Sequence, residues 1–173
     1  MVIDPKAEQP ARTMLGYALR GELDDLAALI RAEETDILPA AIPLFLLASA
    51  YIAIDVSGRW PTEADTREIA QAAAQSVTRL DLTEQEIYEY LSRVALGQDK
   101  IDDVFAAEGL ATIPLYATAN LLLTFCPWEK EWWEYLDQIW NAADVADRTS
   151  LTILPALLLR ARKQASSEDA SAR

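Results

Sequence analysis

The chain has 173 residues, with 15 basic and 28 acidic side chains for a net charge of −13, one cysteine and no histidine. That length suits one domain able to bury roughly 70% of the surface its unfolded form exposes, and the negative balance removes the main electrostatic term for binding nucleic acid. Without histidine there is no Ser-His-Asp triad, Cys-His pair or histidine-bearing zinc site, and a lone Cys126 cannot close an internal disulfide.

Residues 1–10 carry Asp4 and Glu8 and no apolar run, so no secretory leader is expected and the chain is read as cytoplasmic. Pro10 is expected to open a short helix ending at Arg20, with Gly21 just beyond. In 22–33, Leu23, Leu26, Ala27 and Ile30 fall at i, i+3, i+4 and i+7, an amphipathic stripe. Part of this stretch, 21–31, resembles the second helix of an ankyrin repeat, but the Thr-Pro-Leu-His element that would accompany it is missing, so no ankyrin fold follows.

Pro43 is expected to begin an apolar helix that stops at Ser57-Gly58. Thr62 with Asp65, and Thr83 with Glu86, have the spacing of capping boxes. The first box would start a helix to about Arg79. The second starts the stripe Ile87, Leu91, Val94 and Ala95, closed by Gly97. A short helix follows over 99–108, Pro114 opens another apolar one, Pro127 opens a tryptophan-rich one, and a last helix covers 151–165 with Pro155 near its start. No alternating pattern indicates a strand. The expected fold is all-α: one domain over 1–165 of about seven to nine helices, with a flexible tail at 166–173.

Segments 37–54 and 109–128 carry no charge, which makes both transmembrane candidates by length. Pro39 and Pro43 are expected to leave only about twelve helical residues before Asp55, about 18 Å against a hydrocarbon core of about 30 Å. The second segment holds Thr112, Thr118, Asn120 and Thr124 and is cut by Pro127, and the flanks of both are acidic. Both are therefore expected to be central helices of a soluble fold, without a membrane span.

A pattern recurs: Leu23-Asp24-Asp25-Leu26 precedes Ile42-Pro43-Leu44-Phe45, and Ile101-Asp102-Asp103-Val104 precedes Ile113-Pro114-Leu115-Tyr116. It suggests two helical units, 17–82 and 83–165, built around two buried proline-initiated helices. The acidic pairs read as solvated faces, because neighbours on a helix point about 100° apart and cannot close on one ion. Cys126, placed before a helix opened by Pro127, would sit where the macrodipole favours a thiolate, yet it reads as a small apolar residue rather than a nucleophile.

Four of the five tryptophans, Trp128, Trp132, Trp133 and Trp140, lie within 128–140. On a helix from Trp128, Trp132, Tyr135, Leu136 and Ile139 form a core stripe. Trp133 and Trp140 fall on its shoulder beside Glu129. That shoulder either packs beneath a neighbouring helix or the N-terminal segment, or forms a contact surface, since tryptophan anchors interfaces. The functional expectation is a non-catalytic acidic protein-binding module of inhibitor, immunity or adaptor type, with Trp133, Trp140, Glu129, Trp132 and Trp128 as binding residues and a basic protein as partner. Two alternatives are a carrier of a small apolar ligand in a pocket lined by these tryptophans with Tyr116 and Phe125, and an enzyme using only carboxylates or Mg²⁺. No catalytic residue, metal ligand or cofactor is assigned.

Overall fold

The computed structural model describes residues 5–32, 37–75, 80, 82–95 and 110–145. Among these the chain is all-α, with seven helices and no strand. A short 3-10 turn, Pro5–Ala7, leads into α1, Glu8–Arg20. Then come α2, Leu23–Ala32; α3, Ile37–Ser57; α4, Glu63–Gln75; and α5, Glu84–Ala95. The last two are α6, Thr112–Phe125, and α7, Trp132–Val145. The expected helices over 99–108 and 151–165, with Gly97, the Asp102-Asp103 pair, the tail 166–173 and much of the second repeat unit, lie outside the described residues.

Helices α3 and α6 form the centre and pack chiefly against each other. Every residue of α3 from 41 to 54 is buried, as are Pro114, Leu115 and the run 117–122 of α6. Helix α1 lies against both, α5 and α4 close another side as a packed pair, and α7 lies on α3. Helices this apolar, charged only at Asp55 near the end of α3, have almost no polar face to give to solvent, so the amphipathic ones are laid around them. Phe45, Ile42, Ile52, Leu115 and Leu121 are inaccessible, and each such side chain contributes about 1.5–3 kcal/mol on leaving water.

The prolines do not start helices where expected. Pro10, Pro39 and Pro114 are each the third residue of their helix, where the backbone N–H would lack an intrahelical acceptor in any case. Pro43 lies inside α3, so the expected start there is overturned. It forfeits one hydrogen bond and crowds the carbonyl four residues back, at a cost of about 3 kcal/mol, offset by the apolar side chains buried on both sides of it.

Helix α3 is thus 21 residues long, not a dozen, and with a mean hydropathy of 2.2 over its most apolar window it is long and apolar enough to cross a membrane. In this fold 72% of that window is buried against the other helices.

The helix ends follow the predicted punctuation more closely. Gly21 adopts φ 68° and closes α1, with its N–H donating to Ala18 O and that of Glu22 to Tyr17 O, a Schellman arrangement. Gly58, φ 63°, closes α3. Both capping boxes form. The Thr62 N–H and hydroxyl donate to Asp65 Oδ2 at 2.8 and 2.6 Å, while the Asp65 N–H reaches back to Thr62 Oγ1 at 3.3 Å. Thr83 and Glu86 repeat the geometry at 2.8, 2.7 and 3.2 Å.

One polar chain runs through the apolar centre. The Tyr90 hydroxyl of α5 donates to Ser49 Oγ of α3 at 3.0 Å, and Ser49 Oγ lies 2.9 Å from Thr118 Oγ1 of α6. Thr118 donates most closely to Pro114 O, at 2.6 Å. Taken in that order each hydroxyl gives one proton and none is wasted, as burial in a low-dielectric centre requires. Burial raises the Tyr90 phenol well above its ordinary range, more than its hydrogen bonds to Ser49 and Thr118 lower it.

Candidate functional site: the tryptophan turn and helix α7

Helix α7 does not begin at Pro127. Residues 127–130 form a turn in which the Lys130 N–H donates to Pro127 O at 2.9 Å. The helix starts at Trp132, and Glu131 is its cap: its carbonyl accepts from the N–H groups of Glu134 and Tyr135 at 3.0 and 3.2 Å, and its own N–H donates to Glu134 Oε2 at 3.1 Å. This is half of a capping box, because Glu131 has no short hydroxyl to return the bond. Cys126 therefore follows the C-terminus of α6, capping it through an N–H bond to Leu122 O, and is not at a helix start. Its Sγ lies 3.8 and 3.6 Å from the carbonyls of Pro127 and Lys130, and burial pushes the thiol above its ordinary value despite Lys130. A protonated, half-buried thiol suits the structural reading.

The inner face of α7 carries Tyr135, Leu136 and Ile139, all in the core. The Tyr135 hydroxyl donates to Asp55 Oδ2 at 2.7 Å, and its ring meets Tyr51 edge-on with centroids 6.1 Å apart. Burial first, and then the Asp55 carboxylate, hold the Tyr135 phenol far above its ordinary range, so it stays a donor. Gln138 donates to the Tyr51 hydroxyl at 3.1 Å and accepts from Lys130 at 2.5 Å.

The five predicted binding residues separate into two groups. Trp140 is 8% exposed and lies beneath the Arg12 guanidinium, 4.2 Å from its ring centroid. Arg12 also pairs with Glu8 at 3.1 Å and with Asp137. Of the two fates expected for the shoulder, Trp140 takes the packed one, covered from α1. Trp132 packs over Gly16, where an added Cβ would stand 3.6 Å from its ring.

Trp128 and Trp133 remain outward, 90% and 46% exposed. Trp128 is no part of the helical stripe, because the turn releases it. Trp133 stands edge-on to Trp132 at 5.6 Å. Glu129, Glu131 and Glu134 are exposed alongside them, so this turn presents two indoles among three carboxylates, with its one cation, Lys130, already engaged by Gln138.

Three grooves lined by described residues include Trp60 in two cases and Phe125 in the third, and none of these three is lined by a tryptophan of 128–140. Sequence reasoning passed over Trp60, whose signal was the Trp-Pro pair directly ahead of the Thr62 box. Asp24 and Asp25 are exposed in the first turn of α2. Among the described residues no three histidine, cysteine, aspartate or glutamate side chains converge as metal ligands would. Comparison with family models, curated proteins and solved structures finds no match for this chain.

Proposed function

We propose that the protein is a non-catalytic, water-soluble cytoplasmic module that binds a basic protein through the tryptophan turn. The observation that carries this reading is the pairing of exposed Trp128 and Trp133 with Glu129, Glu131 and Glu134 at the head of a helix whose inner face is buried on the core. Large indoles left in water cost free energy that a partner can recover, and tryptophan is the residue most often found to anchor an interface. The carboxylates supply steering toward a cationic surface and exclude anionic ones. An inhibitor, immunity or adaptor role fits such a module, since each acts by occupying a partner rather than transforming it.

Affinity capture from the source cell, run in parallel with wild type and Trp133→Ala, tests this reading. The expected result is a cationic protein held by wild type, released as salt is raised past about 0.1 M, and lost from the variant, because truncating an interfacial anchor costs about 2 kcal/mol or more. A partner retained equally by both forms would remove the reading's main support.

A further inference from the structure

A second surface carries its own chemistry. Between the α3–α4 connection and helices α4 and α5 runs a groove of about 360 Å³ lined by Trp60, Pro61, Thr62, Glu63, Tyr88 and Ser92, at the small end of the range for ligand sites. Sharing Trp60, Pro61 and Thr66 with it is a smaller recess otherwise formed by Ala50, Ala53, Ile54, Leu91 and Val94. That recess is only about 10 Å³, enough for a methyl or methylene group but not for an apolar ligand.

The mouth of the groove already holds a cation of the chain's own. The Arg67 guanidinium lies 4.5 Å from the Tyr88 ring centroid, and its Nη2 is 3.4 Å from Glu63 Oε1. The Tyr88 hydroxyl donates to the same Glu63 oxygen at 3.2 Å, which aims the carboxylate across the ring. A ring face beside an oriented carboxylate is what a guanidinium seeks, stacking on one and bonding to the other. Arg67 holds this place weakly: the ion pair is long and its two side chains are 56% and 77% exposed, a setting in which such pairs contribute little. The surroundings are acidic, with exposed Glu63, Glu68, Glu84, Glu86 and Glu89 against Arg67 and Arg93 on α4 and α5.

We propose that this groove receives an arginine side chain from a basic polypeptide segment, with the stem methylenes over Trp60 and Pro61 and the guanidinium displacing Arg67 from Tyr88 and Glu63. The site is separate from the tryptophan turn and does not depend on that turn's role. Lysine fits it less well, because an ammonium is a strongly hydrated point charge without a flat face to stack. Phosphate or carboxylate ligands are disfavoured: Arg59 is bound to Asp65, and Arg67 is balanced by Glu63.

The test is a heteronuclear NMR titration of the intact chain with a synthetic peptide bearing spaced arginines, and with its lysine counterpart of equal charge. The arginine peptide is expected to shift the Trp60 indole N–H and the Thr66 and Ser92 amides saturably, and to bind about two- to fivefold more tightly than the lysine peptide, as exposed cation–π contacts imply. Glu63→Gln should weaken binding and Arg67→Ala should tighten it. Both are exposed positions, so circular dichroism is expected to show the fold kept. Absence of a saturable Trp60 response, equal affinity for the two peptides, or weaker binding by Arg67→Ala would each overturn the proposal. Shifts confined to the Trp128 and Trp133 indoles would overturn it while leaving the tryptophan turn's role standing, whereas a response at Trp60 alone would support the groove and count against the turn.

Discussion

The two connections that leave the central helices make an instructive pair. After α3 the chain runs Trp60-Pro61-Thr62 into α4, and after α6 it runs Pro127-Trp128 to Glu131 and into α7. In each, a carboxylate three residues past the cap reaches back to the cap's N–H, Asp65 to Thr62 at 2.8 Å and Glu134 to Glu131 at 3.1 Å. The difference is the returning bond. Thr62 has a hydroxyl that accepts from the Asp65 N–H, and Arg59 Nη2 straddles both Asp65 carboxylate oxygens at 2.8 and 2.9 Å. Glu131 has neither. Correspondingly Pro61 is buried and Trp60 half-buried, while Trp128 stands 90% exposed. A fully capped connection folds its tryptophan into a groove, and a half-capped one leaves its tryptophan in water.

The largest effect on this pair should come from the core both hang from. Phe45→Ala, at a residue with no exposure, is expected to cost about 3–5 kcal/mol, loosening both connections together in a denaturant titration. A loss at one connection only would mean that the central helices do not couple them. Next, Thr118→Val removes the acceptor for Ser49 and should cost about 1–3 kcal/mol, read as a lower midpoint at unchanged slope. The connections themselves come third: Thr62→Ala should destabilise by about 1 kcal/mol, and Glu131→Thr, which completes the second box, should stabilise by up to about the same amount. If the two substitutions shifted the thermal midpoint in the same direction, the contrast between the caps would be wrong.

Acid sharpens the comparison within the first connection. The Thr62 hydroxyl first, then its N–H and the Arg59 guanidinium, hold the Asp65 carboxyl at about 2, below its ordinary 3.8. A depressed folded value means the stabilisation is fully present above the ordinary value and is lost as pH falls toward 2. The Asp65 carboxyl carbon should therefore titrate by NMR with a midpoint near 2, and Thr62→Ala should move that midpoint upward. The smallest effect is expected at the seat of α7. Gly16→Ala places a methyl 3.2 Å from the flexible end of Arg20 and 3.6 Å from Trp132, so the gain in helix propensity, up to about 1 kcal/mol, should roughly offset the crowding.

What the sequence disclosed follows from how local each signal is. Gly21, Gly58 and the Thr62 and Thr83 boxes were legible because the interactions span at most five residues. Pro43 misled because a proline inside a helix is normally excluded, and only burial on every side of α3 outweighs its cost. Pro127 misled in the opposite sense: read as a helix opener, it starts a turn, and the true cap, Glu131, is a residue type that rarely caps. The tryptophan shoulder was half legible. Its geometry held for Trp133, but the partner that covers Trp140 is Arg12, from the far end of the chain, which no local periodicity can name. The Tyr90, Ser49 and Thr118 chain was invisible for the same reason, its members being ordinary residues on three separate helices.

That chain of hydroxyls does something burial alone leaves undone. A helix as uniformly apolar as α3 offers its neighbours much the same greasy surface at any angle of rotation, so dispersion and water exclusion set its depth but barely set its azimuth. Tyr90 and Thr118 both reach that cylinder at one patch, Ser49 Oγ and the Phe45 carbonyl one turn before it. Turning α3 by a single residue would part Ser49 from Tyr90 and Thr118 at once, even though Thr118 keeps its bond to Pro114 O, and the relay thereby acts as the key that orients an otherwise featureless shaft.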